Sequence, residues 1–150
     1  MSEIRESIWR NRPSVNEINE LFRDTLCDHL GIEITDVGPD SITGTMPVES
    51  RTCQPFGVMH GGASLALAES LASVAAYYCT PSKKTRVFGA EINANHLRSV
   101  SPPSSVTGVA TPIHLGRATQ VWQVEISNEA GQSVCICRTT IIAKESSATT

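Results

Sequence analysis

The stretch "GVMHGGASLALAESLASVAAYY", residues 57–78, decides the fold. Its apolar and small residues predict a helix able to fill the centre of a small protein, yet Glu69 stands near its middle. By length it is the one transmembrane candidate in the chain. The central carboxylate, His60, the serines at 64, 70 and 73 and the paired glycines read instead as a core helix with a task. At about 100° per residue, Leu67, Leu71, Val74 and Tyr78 fall within a narrow arc. Glu69 lies on the other side, flanked by Gly62, Ala66, Ala72, Ser73 and Ala76. Bulky faces pack on sheets, whereas a small face leaves room for another backbone or a ligand. A solvated or ion-paired side chain is the ordinary reading of such a carboxylate. No basic residue lies within a turn of Glu69, which favours a place at the edge of a cleft.

Upstream, "SVNEINELFRDTLCDHL" (14–30) predicts an amphipathic helix. Ser14 and Glu17 have capping-box spacing, Ile18, Leu21, Phe22, Leu26 and Leu30 form an apolar stripe, and Gly31 is the stop. "GIEITDV" and "SITGTMPV", joined by Gly38-Pro39-Asp40, predict a hairpin, and 49–56 a loop into the long helix. Downstream, segments 86–97, 105–115, 117–126 and 133–143 predict strands, the last three as an antiparallel meander. The tail from 144 to 150 reads as disordered. The sum is a single α+β domain over residues 1–150: an N-terminal helical segment (1–30), then a curved antiparallel sheet of about six strands around a long central helix.

Composition narrows the function. The chain of 150 residues carries a net charge of -3 and no basic footprint, so no nucleic-acid partner is expected. The five cysteines form no CxxC pair and, with no signal peptide in "MSEIRESIWRNRP", imply reduced thiols and a cytoplasmic protein. No metal site and no membrane attachment are expected.

The start of the long helix complements its middle. Gly61 and Gly62 let a ligand approach the first free N–H groups, where the macrodipole favours developing negative charge. Taken singly, His-Gly-Gly is a helix-entry turn, His60 a core histidine and Gln54 a polar loop residue. Gly61 and Glu69, however, are eight residues apart, about 12 Å along one helix. They cannot both act on one carbonyl carbon, where reacting groups lie within about 3–3.5 Å. If both are catalytic, they come from two chains, with their helices antiparallel about a two-fold axis.

These blocks, "QPFGVMHGGASLALAES" (54–70), "GAEINANHLRS" (89–99), "HLGRATQVWQVEI" (114–126) and "CRTTI" (137–141), resemble the hotdog-fold acyl-CoA thioesterases. The resemblance is to the branch of 1,4-dihydroxy-2-naphthoyl-CoA and hydroxybenzoyl-CoA hydrolases and of enzymes that clear misloaded aryl-carrier proteins. It implies the hotdog fold, dimers that pair into tetramers, an acyl-CoA substrate with coenzyme A as part of it, no cofactor, and a place in menaquinone biosynthesis. It assigns Glu69 as nucleophile or general base and the Gly61 N–H as the donor that polarises the thioester carbonyl. Gln54 orients the carbonyl or water, His60 positions, and Ser73 helps hold the hydrolytic water. It also assigns Gly89, His96, Leu97, Arg98, Ser99, His114, Leu115, Gly116, Arg117, Ala118 and Thr119 to CoA, the two arginines suiting phosphate. One departure is "VSPPSS" (100–105), where relatives carry a short turn with glycine. The alternatives are an editing thioesterase acting on a carrier protein and a hotdog protein that binds acyl-CoA without turnover. A hotdog hydratase wants an Asp/His dyad that this sequence does not offer.

Overall fold

A computed structural model describes residues 7–146. Residues 7–13 form an extended strap. Trp9 Nε1 donates to the Gly38 carbonyl at 2.7 Å, and the Arg10 N–H donates to the Tyr78 carbonyl at 3.1 Å. The strap thereby ties the first hairpin to the far end of the long helix. The first helix, α1 (Val15–Phe22), opens on the expected capping box: Glu17 N–H donates to Ser14 Oγ, and Ser14 N–H to the Glu17 carboxylate. The Ser14 backbone N–H, and after it the Ser14 hydroxyl, hold the Glu17 carboxyl below its usual range.

The helix expected over 14–30 is two helices. It stops at Arg23, Asp24 takes the left-handed region (φ 56°), and α2 (Leu26–Leu30) restarts under a Thr25 cap. Thr25 Oγ1 accepts from the Cys27 N–H, and the Asp24 N–H donates to Asp28. Thr25 and Asp28 thus repeat the spacing of Ser14 and Glu17, a second start signal inside what reads as one apolar stripe. Of that stripe only Ile18 and Phe22 are buried, while Leu21 and Leu26 are exposed. Gly31 ends α2 in the left-handed conformation, as expected of the stop (φ 70°).

The strands are β1 (Glu33–Val37), β2 (Ile42–Val48), β3 (Thr85–His96), β4 (Ser104–Leu115), β5 (Thr119–Asn128) and β6 (Ser133–Glu145). They form one antiparallel sheet in the order β1-β2-β4-β5-β6-β3, with β1 and β3 at its edges. The meander is β4-β5-β6, as read. The fifth strand starts at Thr119 rather than 117, because residues 116–118 make the turn. Lys144 and Glu145 belong to β6, paired with Arg86 and Thr85, so they correct the reading of a disordered tail. Residues 1–6 and 147–150 lie outside the described residues.

The long helix α3 (Gly61–Tyr78) starts at Gly61, four residues later than the apolar run, because His60 caps it. It packs against β2 through β6, and Leu67 and Leu71 are fully buried. Two glycines paired across β2 and β4, Gly44 and Gly108, make the hollow for these leucines. A Cβ on either would stand within 2.7–2.8 Å of a Leu71 methyl. Ala72 and Ala76 are fully buried, which corrects the expectation that they leave room for a ligand beside the carboxylate. The face left partly open carries Ala66, Glu69, Ser70, Ser73 and Tyr77.

Candidate active site

Glu69 projects from the middle of the open face of α3. Among the described residues its carboxylate has no hydrogen bond and no ion pair. It lies over the backbone of β3: a Cβ on Gly89 would lie 1.9 Å from Glu69 Oε1, so only glycine leaves the carboxylate where it is. Gly89 stands at a β-bulge, where the β3–β6 register shifts between Gly89 and Glu91. Thr139, fully buried on β6, holds that bulge by donating from Oγ1 to the Glu91 carbonyl at 2.9 Å. Gly89 was expected among the substrate- and CoA-binding residues. The structure places it beside the carboxylate.

Glu69 and Ser73 line a cavity of about 650 Å³, open on its outer side and largely apolar. One wall is α3, with Ala66, Ser70 and Tyr77. The other is the α1–α2 joint, with Leu21, Leu26 and Cys27. Cys27 Sγ donates to Ser70 Oγ at 3.2 Å and ties the two walls. Asn19 fixes the joint to the sheet: its side chain donates to the Ile34 carbonyl at 3.0 Å and accepts from the Ile34 N–H at 2.8 Å. None of these three wall residues of the joint was anticipated as part of a site. The break at Asp24, which turns Leu21 and Leu26 toward α3, was the missing signal.

At the helix start, His60 is the cap. Its Nδ1 accepts from the Gly62 N–H at 2.7 Å, which requires a neutral ring nitrogen there and leaves any proton on Nε2. The Gly61 N–H has no partner among the described residues and points out of the helix end. Gln54 sits in the preceding loop, and its side-chain Oε1 accepts from the Phe56 N–H. The His96 ring lies against Gly61, within 2.9 Å of where a Cβ would be. Gly61, His96, Leu97, Arg98 and Ser99 line a second cavity of about 350 Å³. Ser64 also lines it, fully buried and without a hydrogen-bond partner for its hydroxyl. Arg98 donates to the Ser133 carbonyl at 2.8 Å.

The remaining expected CoA residues lie at the opposite end of α3. His114 through Thr119 run from the end of β4 through the turn to the start of β5, closed by a Gly116 N–H to Thr119 carbonyl bond at 3.0 Å. Leu115, Gly116 and Arg117 line a cavity of about 720 Å³ with Arg10 and Thr80. With 18 residues, α3 spans about 27 Å. One chain therefore brings Glu69, Ser73 and Gly89 together, and separately Gly61, His60, Gln54 and 96–99. It does not bring the two groups, or 114–119 and 96–99, to one point. No group of three His, Cys, Asp or Glu residues able to hold a metal ion occurs among the described residues. No helix is long and apolar enough to cross a membrane.

Comparison with known proteins agrees with this architecture. Residues 56–135 match the thioesterase superfamily. The chain is 46% identical over 133 residues to the 1,4-dihydroxy-2-naphthoyl-CoA hydrolase of Escherichia coli, covering 89% of this chain and 96% of that one. It is 47% identical over 131 residues to the proofreading thioesterase EntH of Cronobacter turicensis, covering 87% and 94%. A mutant thioesterase of Pseudomonas aeruginosa superposes with a TM-score of 0.90 at 43% identity, over 93% of this chain and 100% of that one. A thioesterase of Haemophilus influenzae does so with a TM-score of 0.88 at 45% identity, over 92% and 95%. A solitary carboxylate on an open helix face, a free N–H at the helix tip and these relatives lead to one assignment: the chain belongs to the thioesterase superfamily, has the hotdog fold and is a thioester hydrolase.

Proposed function

We propose that the chain hydrolyses an aromatic acyl-CoA, of the 1,4-dihydroxy-2-naphthoyl or hydroxybenzoyl kind, at sites shared between two copies. The observation that carries this is the Glu69 carboxylate, unpaired among the described residues, on the wall of an apolar cavity of about 650 Å³, with Gly89 keeping its space. A second copy, its α3 antiparallel to the first, brings the Gly61 N–H and Gln54 to that carboxylate. The about 12 Å between Gly61 and Glu69 in one chain is what requires the second copy. The open face of α3 and the free edge of β3 supply surfaces for such a pair, and a dimer of dimers extends it.

Glu69 either attacks the thioester carbonyl or takes a proton from a water that does. The Gly61 N–H and the helix dipole stabilise the oxyanion, and Gln54 and Ser73 orient the carbonyl and the water. His60 holds the turn that aims the Gly61 N–H. The CoA thiolate leaves without a strong general acid, and no cofactor is needed. Arg98 of one copy and Arg117 of the other suit the phosphates. Menaquinone biosynthesis follows as the pathway if the naphthoyl ester is the substrate.

Similarity to a proofreading thioesterase favours a second reading, in which the thioester is carried on an aryl-carrier protein. The test is thiol release from a panel of aromatic and aliphatic acyl-CoAs and from an arylated carrier protein. The reading expects the highest kcat/KM on an aromatic acyl-CoA. Turnover of the carrier-protein ester alone would replace it with the second reading, and binding of every ester without turnover would contradict both.

A further inference from the structure

We propose that Phe56 of a second copy closes the open side of the Glu69 cavity and there selects planar acyl groups. This rests on the two-copy reading of the site. Phe56 is 92% exposed, by far the most exposed large apolar side chain among the described residues. It is nevertheless not on a loose loop. The Gln54 N–H donates to the Val58 carbonyl at 2.9 Å, the Gly57 N–H to the Gln54 carbonyl at 2.9 Å, and the Phe56 N–H to the Gln54 side chain. Cys53 and Met59 pair across the base of the loop, and the His60 N–H donates to the Thr52 carbonyl at 2.8 Å. The loop and the tip of α3 are thus one rigid unit. A second copy that delivers Gly61 and Gln54 to Glu69 delivers Phe56 as well.

In its own chain Phe56 takes no part in the Glu69 cavity, whose walls are α3 on one side and the α1–α2 joint on the other. The rim that faces outward carries Leu21 and Leu26, 56% and 62% exposed. An exposed ring in one copy and an exposed apolar rim in the other cover each other's surface from water. A phenyl ring over the cavity mouth offers an aromatic acyl group an offset or edge-on partner, and gives a short aliphatic acyl group much less contact.

The test uses the full chain, with benzoyl-CoA and acetyl-CoA as probes. Phe56→Ala lowers kcat/KM on benzoyl-CoA by about tenfold or more and on acetyl-CoA by less than about threefold, at unchanged assembly size by light scattering. Where the alanine variant alters assembly, Phe56→Leu carries the same comparison. Mixed pairs of Phe56→Ala and Glu69→Gln chains are then isolated through two affinity tags. In each pair one site combines Glu69 of the first chain with Phe56 of the second. The benzoyl-to-acetyl ratio of such pairs returns to the wild-type value. A ratio that stays at the Phe56→Ala value places Phe56 beside its own Glu69 and overturns the proposal, as does an equal loss on both probes. Activity of Glu69→Gln on its own would instead remove the reading of the site on which the proposal rests.

Discussion

At the scale of single residues, a hydrogen atom at position 89 is what sets the position of the proposed nucleophile or base. Gly89→Ala puts a methyl group where Glu69 Oε1 now stands. The carboxylate is the end of a flexible side chain and can swing aside, so the fold survives while the reactive oxygen is displaced by an ångström or more. The expected outcome is a kcat reduced by about 100-fold with a nearly unchanged urea midpoint. A variant with wild-type kcat would show that Gly89 has no such role. The open carboxylate of Glu69 and the free N–H of Gly61 were legible in the sequence because they are local: a lone acid on a helix and a glycine at its start. His60, read singly as a core histidine, is instead exposed and caps the helix. The place of Gly89 beside the carboxylate, and the part of Thr139, were not legible. Their roles arise from a bulge between β3 and β6, residues about fifty positions apart, and no local pattern announces it.

Among the elements, the α1–α2 joint is the feature that local periodicity conceals. The 3.6-residue pattern of Ile18, Phe22, Leu26 and Leu30 continues through the break, while Asp24 and the Thr25 cap end one helix and begin another. The strands and α3 were legible to within a few residues because their alternation and small-residue content have no competing reading. Ala72 and Ala76 were misplaced because a small residue suits a tight sheet contact as well as an open cleft. The joint hangs on Asn19, which pairs with the edge of β1 as another strand would. Asn19→Ala leaves the Ile34 N–H and carbonyl without their partner, with Ile34 only 2% exposed. The expected cost is about 1–3 kcal/mol in urea unfolding. The variant also raises KM for aromatic substrates as one cavity wall loosens. A loss within error of zero would show that other contacts carry the joint.

For the whole molecule, buried thiols set a limit on stability toward alkaline pH. Burial pushes the Cys79 and Cys137 thiols up to about 12 from the usual 9.0. Below pH 9 both are protonated in the folded and unfolded chain and contribute no pH dependence. Between pH 9 and 12 the unfolded chain loses those protons and the folded chain keeps them, so stability falls as pH rises. Replacing both cysteines by alanine flattens the decline in urea midpoint over pH 9–11, and an unchanged slope would assign it to other groups. The proposed assembly uses surfaces that one copy leaves open, the α3 face and the β3 edge, and light scattering is expected to find at least a dimer. The proposed trans-acting half of the site comes from the spacing of Gly61 and Glu69 in the sequence. Phe56 was not legible there, because an exposed ring has meaning only once the copy it faces is considered.

The central claim is that Glu69 performs the hydrolysis. Thiol release by Glu69→Gln, measured on the best aromatic acyl-CoA, tests it most directly. The account predicts a kcat about a thousandfold or more below wild type, with circular dichroism and assembly size unchanged. Turnover within a few-fold of wild type would contradict it.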